Sequence, residues 1–493
     1  MDVDLLASRL VLDRSDHRAL QRQLYDRLRQ LILSGRMPTG TRLPASRTMA
    51  RALAVSRNTV VAAFDQLAAE GFVETNKGGG TRVAALSAGL FGTTAQHTGD
   101  DPQPASMTLS TRGQLLTEIQ RDQRLGPTAR HAMFVHGVPD LAAFPRALWA
   151  RLLGRAARLA PPEGLDYGNV QGLPILREAL TRYLREARAV VCRPDQIFVV
   201  SGAQSGIDLV ARLLLDRGNH VWLEDPCYRG ALAAFLGAGA AIVPLPVDQD
   251  GISIQQNAPV PRMIYVTPSH QYPLGMLTSL DRRLQLLQVA ARHRALILED
   301  DYDSEFRYVG QPIASLQGLS GGARVIYLGS FSKTLIPGIR VGYMVVPEGL
   351  IDPMRNALRN IGALPATMIQ AALAQFIDDG HLRAHIRRMR AIYEERRARL
   401  IQILQDRLQG VGTLEQAPAG LQLALSLPHA ISDRHVEDAS ARQGIETLAL
   451  SRLAIQRKDI NGLLLGYGNA PLAHIEPAAS TLAGIIRSAA RKD

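Results

Sequence analysis

Between about residues 195 and 345, short apolar runs alternate with stretches of helical spacing, and this alternation restricts the fold more than any other feature. The runs lie at Ile197–Val200, Val221–Leu223, Met263–Val266, Ala295–Leu298 and Val325–Leu328. Strand-like runs interleaved with helices predict an α/β fold with a mostly parallel sheet. The last run leads into Ser330-Phe331-Ser332-Lys333-Thr334, with Arg340 seven residues beyond the lysine. A lysine between two hydroxyls and followed by an arginine suits an imine to an aldehyde cofactor, with hydroxyls and guanidinium gripping a phosphate. Taken alone, the same stretch reads equally well as an ordinary surface loop.

The other strand ends decide the matter together. Ile197–Val200 runs into Ser201-Gly202-Ala203-Gln204-Ser205, and a helical pattern follows to Leu215. A small-residue turn opening a helix leaves free N–H groups at the positive end of its dipole, which is a phosphate site, although such turns also start ordinary helices. Tyr228, after Asp225-Pro226-Cys227, can stack on a planar ring or pack on its own loop. Met263–Val266 leads into Thr267-Pro268-Ser269-His270-Gln271-Tyr272-Pro273-Leu274-Gly275. Ala295–Leu298 ends in Glu299-Asp300-Asp301-Tyr302. Acids at the end of an apolar strand are costly unless they meet a cation. Asp300 against a protonated pyridine nitrogen would keep that nitrogen charged, so the ring could draw electrons from a bound amine. Tyr302 is then within reach of a ring hydroxyl. A metal is the rival occupant, but no nearby His/Cys set completes a metal site.

The first 83 residues have a different character. Leu20, Leu24, Leu28, Leu31 and Ile32 predict an amphipathic helix over 18–34, ending at Gly35. Pro38 and Gly40 break the chain, Ser46 is placed to cap a helix over 47–53, and a second helix runs from Arg57 to Glu70. Phe72–Thr75 and Thr81–Val83 flank Asn76-Lys77-Gly78-Gly79-Gly80, a hairpin signal. Two helices across a tight turn and then a hairpin make a winged helix-turn-helix, whose second helix enters a major groove. Residues 36–82 hold seven basic side chains against three acidic ones, a phosphate-contacting surface. From 84 to 107 periodicity stops and small residues dominate, so this segment is expected to be a flexible linker spanning roughly 25–30 Å. The expected division is therefore 1–83, 84–107 and 108–493.

An apolar content of 46% over 493 residues supports large cores, but no apolar run is long enough to span a membrane. Cys192 and Cys227 lack metal-ligand spacing and are too few for a disulfide framework, and the acidic N-terminus lacks a signal-peptide pattern. A reducing, cytoplasmic setting is expected.

Arg42-Leu43-Pro44-Ala45-Ser46-Arg47, Val55-Ser56-Arg57-Asn58-Thr59-Val60, Leu67-Ala68-Ala69-Glu70-Gly71 and Gly80-Thr81-Arg82-Val83 resemble the DNA-binding domain of the GntR family. The resemblance implies that Arg42, Arg47, Arg57 and Thr59, with Lys77 and Gly79 of the wing tip, meet a double-stranded DNA operator. From about 108 to 470 the chain resembles the fold-type I, class I aminotransferases that use pyridoxal 5′-phosphate. Asp300, Tyr302, Lys333 and Arg340 fall at that family's spacing. The resemblance implies a PLP-dependent transferase fold with a smaller C-terminal α/β subdomain. It implies that Lys333 carries the cofactor as an imine, that Asp300 pairs with the ring nitrogen, and that Tyr302 contacts the ring hydroxyl. Tyr228 would stack on the ring, and the phosphate would lie against Ala203, Gln204, Ser330, Ser332 and Arg340. Tyr167 matches the tyrosine that reaches the partner's phosphate, which implies a homodimer. Arg452 is the candidate for an effector carboxylate.

Two departures stand out. Tyr272 precedes Pro273-Leu274-Gly275 where the enzymes carry asparagine, and Gln422 follows Ala419-Gly420-Leu421 where related regulators often carry histidine. A GntR-type head on an aminotransferase-like body resembles the MocR family of bacterial regulators. The reading that follows is a transcription regulator, associated with the nucleoid when bound to DNA, that senses an amino compound or pyridoxal 5′-phosphate itself and keeps at most residual transaminase activity. The alternative is a working aminotransferase with a DNA-binding appendage. The residues at 42–60 and Tyr272 favour the regulator. The complete Asp300/Tyr302/Lys333/Arg340 set keeps the enzyme open.

Overall fold

The computed structural model describes residues 3–76, 80–85, 108–119, 132–161, 166, 169–310, 313–361, 365–415 and 417–491. Lys77, Gly79, Tyr167 and most of the expected linker lie outside the described residues. The chain forms two compact units, Met1–Thr108 and Leu109–Asp493.

In the first unit, helices Val3–Arg9, Leu20–Leu33, Ser46–Ala52 and Arg57–Ala69 precede an antiparallel pair, β1 (Val73–Asn76) and β2 (Gly80–Val83). The helical spacing read from the sequence becomes a core: Leu24, Leu28 and Ile32 pack with Val60, Ala63, Phe64 and Leu67. Burying each large side chain of this kind stabilises the unit by about 1.5–3 kcal/mol. Ser56 caps the Arg57–Ala69 helix, its Oγ accepting from the Thr59 amide at 3.1 Å. Ser46 does not cap its helix, contrary to expectation. The extended chain after Pro44 makes Ala45 the last non-helical residue, so Ser46 falls in the first turn, and its Oγ accepts from Arg57 Nε at 3.4 Å.

The second unit is built on an eight-stranded sheet. Its strands are β3 (Ile197–Val200), β4 (His220–Asp225), β5 (Ala241–Asp248), β6 (Gly251–Ile252), β7 (Met263–Val266), β8 (Leu296–Asp301), β9 (Val325–Ser330) and β10 (Gly342–Val345). They are ordered β3-β10-β9-β8-β7-β4-β5-β6. The β5-β4-β7-β8-β9 pairings are parallel, while β10 runs against both neighbours and β6 against β5. Strands β3, β7, β9 and β10 are buried along their whole length, as the continuous apolar runs require when helices cover both faces. A smaller antiparallel sheet, β11 (Thr413–Leu414), β12 (Gln422–Ser426), β13 (Leu448–Ala449) and β14 (Gly462–Gly466), packs with helices His381–Arg407 and Leu472–Ala490 around a second core.

Strand β8 runs three residues past its expected end, so Glu299, Asp300 and Asp301 lie inside the sheet. Partners make this tolerable. Alternation along the strand sends neighbouring side chains to opposite faces. Glu299 accepts from the Leu316 and Gln317 amides at 2.9 and 3.0 Å, and Asp301 pairs with buried Arg188 at 2.7 Å. Asp300 points the other way.

Candidate cofactor and effector site

Ligands of open α/β sheets bind beyond the carboxyl ends of the strands, and every predicted cofactor residue that is described sits there. Lys333 lies in the short Phe331–Thr334 helix directly after β9, and its Nζ donates to the Gly137 carbonyl at 2.5 Å. Asp300 is the last residue but one of β8, at the same edge of the sheet. The Tyr265 hydroxyl donates to Asp300 Oδ2 at 2.7 Å, and Oδ1 is buried without a hydrogen-bond partner among the described residues. Burial pushes the Asp300 carboxyl up to about 7, the Tyr265 hydrogen bond and the Lys333 charge oppose that rise, and Asp301 adds to it.

The aromatic residues form a row. Tyr228 meets the edge of Tyr272 at 5.9 Å between ring centres, and Tyr272 meets Tyr302 at 6.0 Å. Leu450 and Leu453 back onto this row. Glu224, at the end of β4, accepts from Thr267 Oγ1 at 2.7 Å, and burial pushes it up to about 7.

The expected phosphate end is the start of the Ala203–Leu214 helix. Gly202 precedes it with φ +98°, a conformation that favours glycine, and the first amides of a helix have no intrahelical acceptor. The exposed Arg340 guanidinium comes within 3.8 Å of where a Cβ on Gly202 would stand. Gln204 Nε2 donates to the Gly230 carbonyl at 2.9 Å, fixing the helix start beside Tyr228. Ser330 Oγ accepts from the Ser332 amide at 3.1 Å and donates to Ser332 Oγ at 2.9 Å.

Arg452 is already engaged. Its Nε donates to buried Glu437 at 2.7 Å. The segment that carries it is tied to β4: the Cys227 amide donates to the Leu453 carbonyl, and Asp225 accepts the amides of Ile455, Gln456 and Arg457 at 2.8, 2.8 and 3.0 Å. In the first unit Arg42, Arg47 and Arg57 are exposed, and Arg82 holds the Gly40 carbonyl at 3.1 Å.

Sequence reasoning missed several contributors. The Gly137 carbonyl lies in a stretch that carried no readable chemistry. His136 beside it is buried, and burial, then the Lys333 charge, lowers its pKa to about 3. Tyr265 stands in a run that reads only as core, and His270 meets Asp303 33 residues away. No local pattern announces any of them.

These residues fit pyridoxal 5′-phosphate. The unpaired Asp300 oxygen is an acceptor for a protonated ring nitrogen, the helix start and Arg340 suit a phosphate, and Lys333 stands between the two ends. When bound, the cofactor supplies an aldehyde for the lysine and an electron sink. Among the described residues no His/Cys/Asp/Glu cluster could hold a metal, and no helix is long and apolar enough to cross a membrane.

Fold and site together define a winged helix-turn-helix joined to a fold-type I, pyridoxal-phosphate-dependent body. Comparison with known proteins agrees. The pattern of bacterial regulatory proteins of the gntR family matches residues 20–83, and that of aminotransferase class I and II matches residues 142–461. The probable rhizopine catabolism regulatory protein MocR of Rhizobium meliloti is 42% identical over 93% of this chain and 92% of its own length. The HTH-type pyridoxine biosynthesis transcriptional regulator PdxR of Corynebacterium glutamicum is 30% identical over 91% of each chain. Pyrococcus horikoshii kynurenine aminotransferase superposes with a TM-score of 0.68 at 26% identity, covering 78% of this chain and 95% of that one. The chain belongs to the MocR-type transcriptional regulators: it is a DNA-binding regulator whose cofactor is pyridoxal 5′-phosphate.

Proposed function

We propose that an amino compound, or pyridoxal 5′-phosphate itself, binds at Lys333 and sets the operator affinity of a homodimer. The observation that carries this reading is the buried, half-satisfied Asp300 carboxylate beside Lys333, in a chain whose other unit presents Arg42, Arg47 and Arg57 to solvent. The cofactor residues take the assigned roles: Lys333 links the aldehyde, Asp300 meets the ring nitrogen, and Tyr302 meets the ring hydroxyl. Tyr228 stacks on the ring, and Ala203, Gln204, Ser330, Ser332 and Arg340 hold the phosphate, with Tyr167 reaching the partner's. Arg452, oriented by Glu437, receives an effector carboxylate.

Arg42, Arg47, Arg57 and Thr59 meet the operator, with Lys77 and Gly79 at the wing, and residues 84–107 tether this head to the body. Two heads per dimer need two half-sites at matching spacing, so a ligand that favours one body arrangement shifts DNA binding by its differential affinity. The regulator works in the cytoplasm, at the nucleoid. Tyr272, standing where the enzymes carry asparagine, favours sensing over turnover.

The test mixes candidate amino compounds with the protein, follows the cofactor spectrum and measures operator binding in parallel. A long-lived spectral shift that tracks altered binding is expected. Multiple turnovers near the ~10 per second typical of enzymes, with operator binding indifferent to every compound that reacts, would overturn the proposal.

A further inference from the structure

We propose that His270 and Asp303 form a positioning pair that fixes the direction in which Tyr302 donates its hydroxyl hydrogen. The two Asp303 oxygens lie 3.0 and 3.1 Å from His270 Nδ1, and the Tyr302 hydroxyl oxygen lies 2.9 Å from the same nitrogen. The imidazole and the carboxylate are both buried, so water does not compete for these contacts. An ionised carboxylate only accepts, which places the ring hydrogen on Nδ1, shared between Asp303 and the Tyr302 oxygen. Tyr302 therefore accepts from His270. Its own hydrogen is turned away from the imidazole and is left for an acceptor outside the trio.

The surroundings hold this polarity in place. Gly420 lies against the imidazole at φ +94°, and a Cβ there would stand 2.0 Å from His270 Cε1 and 2.8 Å from Asp303 Oδ2. The Gly420 carbonyl is held in turn by the hydroxyls of Tyr308 at 2.7 Å and Tyr467 at 2.5 Å. The His270 ring thus cannot flip without displacing the chain that enters β12. Tyr272 closes another side of Tyr302 edge-on, and Asp300 and Glu224 are the further acids whose charges act on it. Nε2 is buried without a partner among the described residues, which suits a bare lone pair better than a bare N–H.

This inference rests on the proposed placing of the cofactor ring beside Asp300 and Tyr302. It adds that the donor role of Tyr302 toward the ring oxygen is set from behind, by His270 and Asp303.

The test is a double-mutant cycle between His270→Gln and Tyr302→Phe, read as the pH midpoint of the visible band of the cofactor-loaded, full-length protein. A donor to an anionic ring oxygen stabilises the deprotonated form, so losing it raises the midpoint, by about one pH unit for a charge-assisted hydrogen bond. Each single variant is expected to raise the midpoint, and His270→Gln is expected to add nothing in the Tyr302→Phe background. Asp303→Asn, whose amide can donate to Nδ1 as well as accept from it and so no longer fixes the tautomer, is expected to raise the midpoint. Asp303→Ser, a second arm should His270→Gln not fold, is expected to raise it. An unmoved midpoint in His270→Gln, or the same shift in both backgrounds, overturns the positioning role. A parent protein in which borohydride captures no cofactor at Lys333 overturns the reading of the site instead, and the two failures are read from separate measurements.

Discussion

Tyr265 donates its hydroxyl hydrogen to one oxygen of Asp300 at 2.7 Å, and the other oxygen of this buried carboxyl has no hydrogen-bond partner among the described residues. That arrangement makes the cofactor-free site sensitive to pH. Burial pushes both Asp300 and Glu224 up to about 7, above the ordinary carboxylate range. Between about pH 4 and about pH 7 the folded chain holds protons that the unfolded chain has released, so stability falls as pH rises through this window. The melting temperature of cofactor-free protein is expected to drop from about pH 5 to about pH 7.5, and Asp300→Asn to lessen the drop. A ring cation beside Asp300 offsets the loss, so the stabilisation on loading cofactor grows with pH. Melting curves that run parallel in parent and variant, loaded and unloaded, would contradict this.

Lys333→Ala removes the amine that the Gly137 carbonyl holds. Borohydride treatment of the loaded protein is expected to attach the cofactor to the parent and not to the variant, as read by intact mass. The variant is also expected to keep operator binding and to lose its response to ligand. Capture at another lysine would move the assignment.

Arg57 opens the helix that Ser56 caps, with its side chain exposed. If it reads a base edge, Arg57→Ala weakens specific operator binding by about 1–3 kcal/mol. Lys77→Ala in the wing is expected instead to weaken binding to all DNA alike and to reduce the salt slope by about one. Titrations at several salt concentrations, on operator and on unrelated DNA, separate the two effects.

Leu28 is buried in the core of the first unit. Leu28→Ala is expected to destabilise that unit by about 2–5 kcal/mol through the cavity it leaves. Because the second unit has cores of its own, calorimetry is expected to show the transition that responds to cofactor staying in place while DNA binding is lost on warming. A uniform shift of every transition would tie the two units together thermodynamically.

The parts of the site that were legible in the sequence are those whose chemistry is announced locally. Lys333 between Ser332 and Thr334, Asp300 at the end of an apolar run and the small-residue turn at Gly202 each leave a local sign, and their order along the chain resolves it. The rest depends on contacts between distant segments. The apolar run stops at Leu298 and the acids after it are costly without a cation, yet β8 continues through them because Arg188, 113 residues upstream, pairs with Asp301. Tyr265 is indistinguishable from core until its hydroxyl is seen on Asp300. Ser46 has the side chain of a cap, but the backbone path puts Ala45, which has no capping oxygen, at that position, and nothing in the local sequence reveals this. The alternating pattern foretold the parallel sheet, whereas the strands of the smaller sheet are too short to stand out from the loops around them.

Asp225 gathers three successive amides, from Ile455, Gln456 and Arg457, onto one buried carboxylate. Those donors cannot leave one at a time without stranding negative charge in the interior, so the stretch beyond Arg452 detaches as a block or stays in place. An effector at Arg452, where one is proposed, would therefore weigh one whole position of this stretch against another, and a rising concentration would change how many molecules have moved, not how far each has moved.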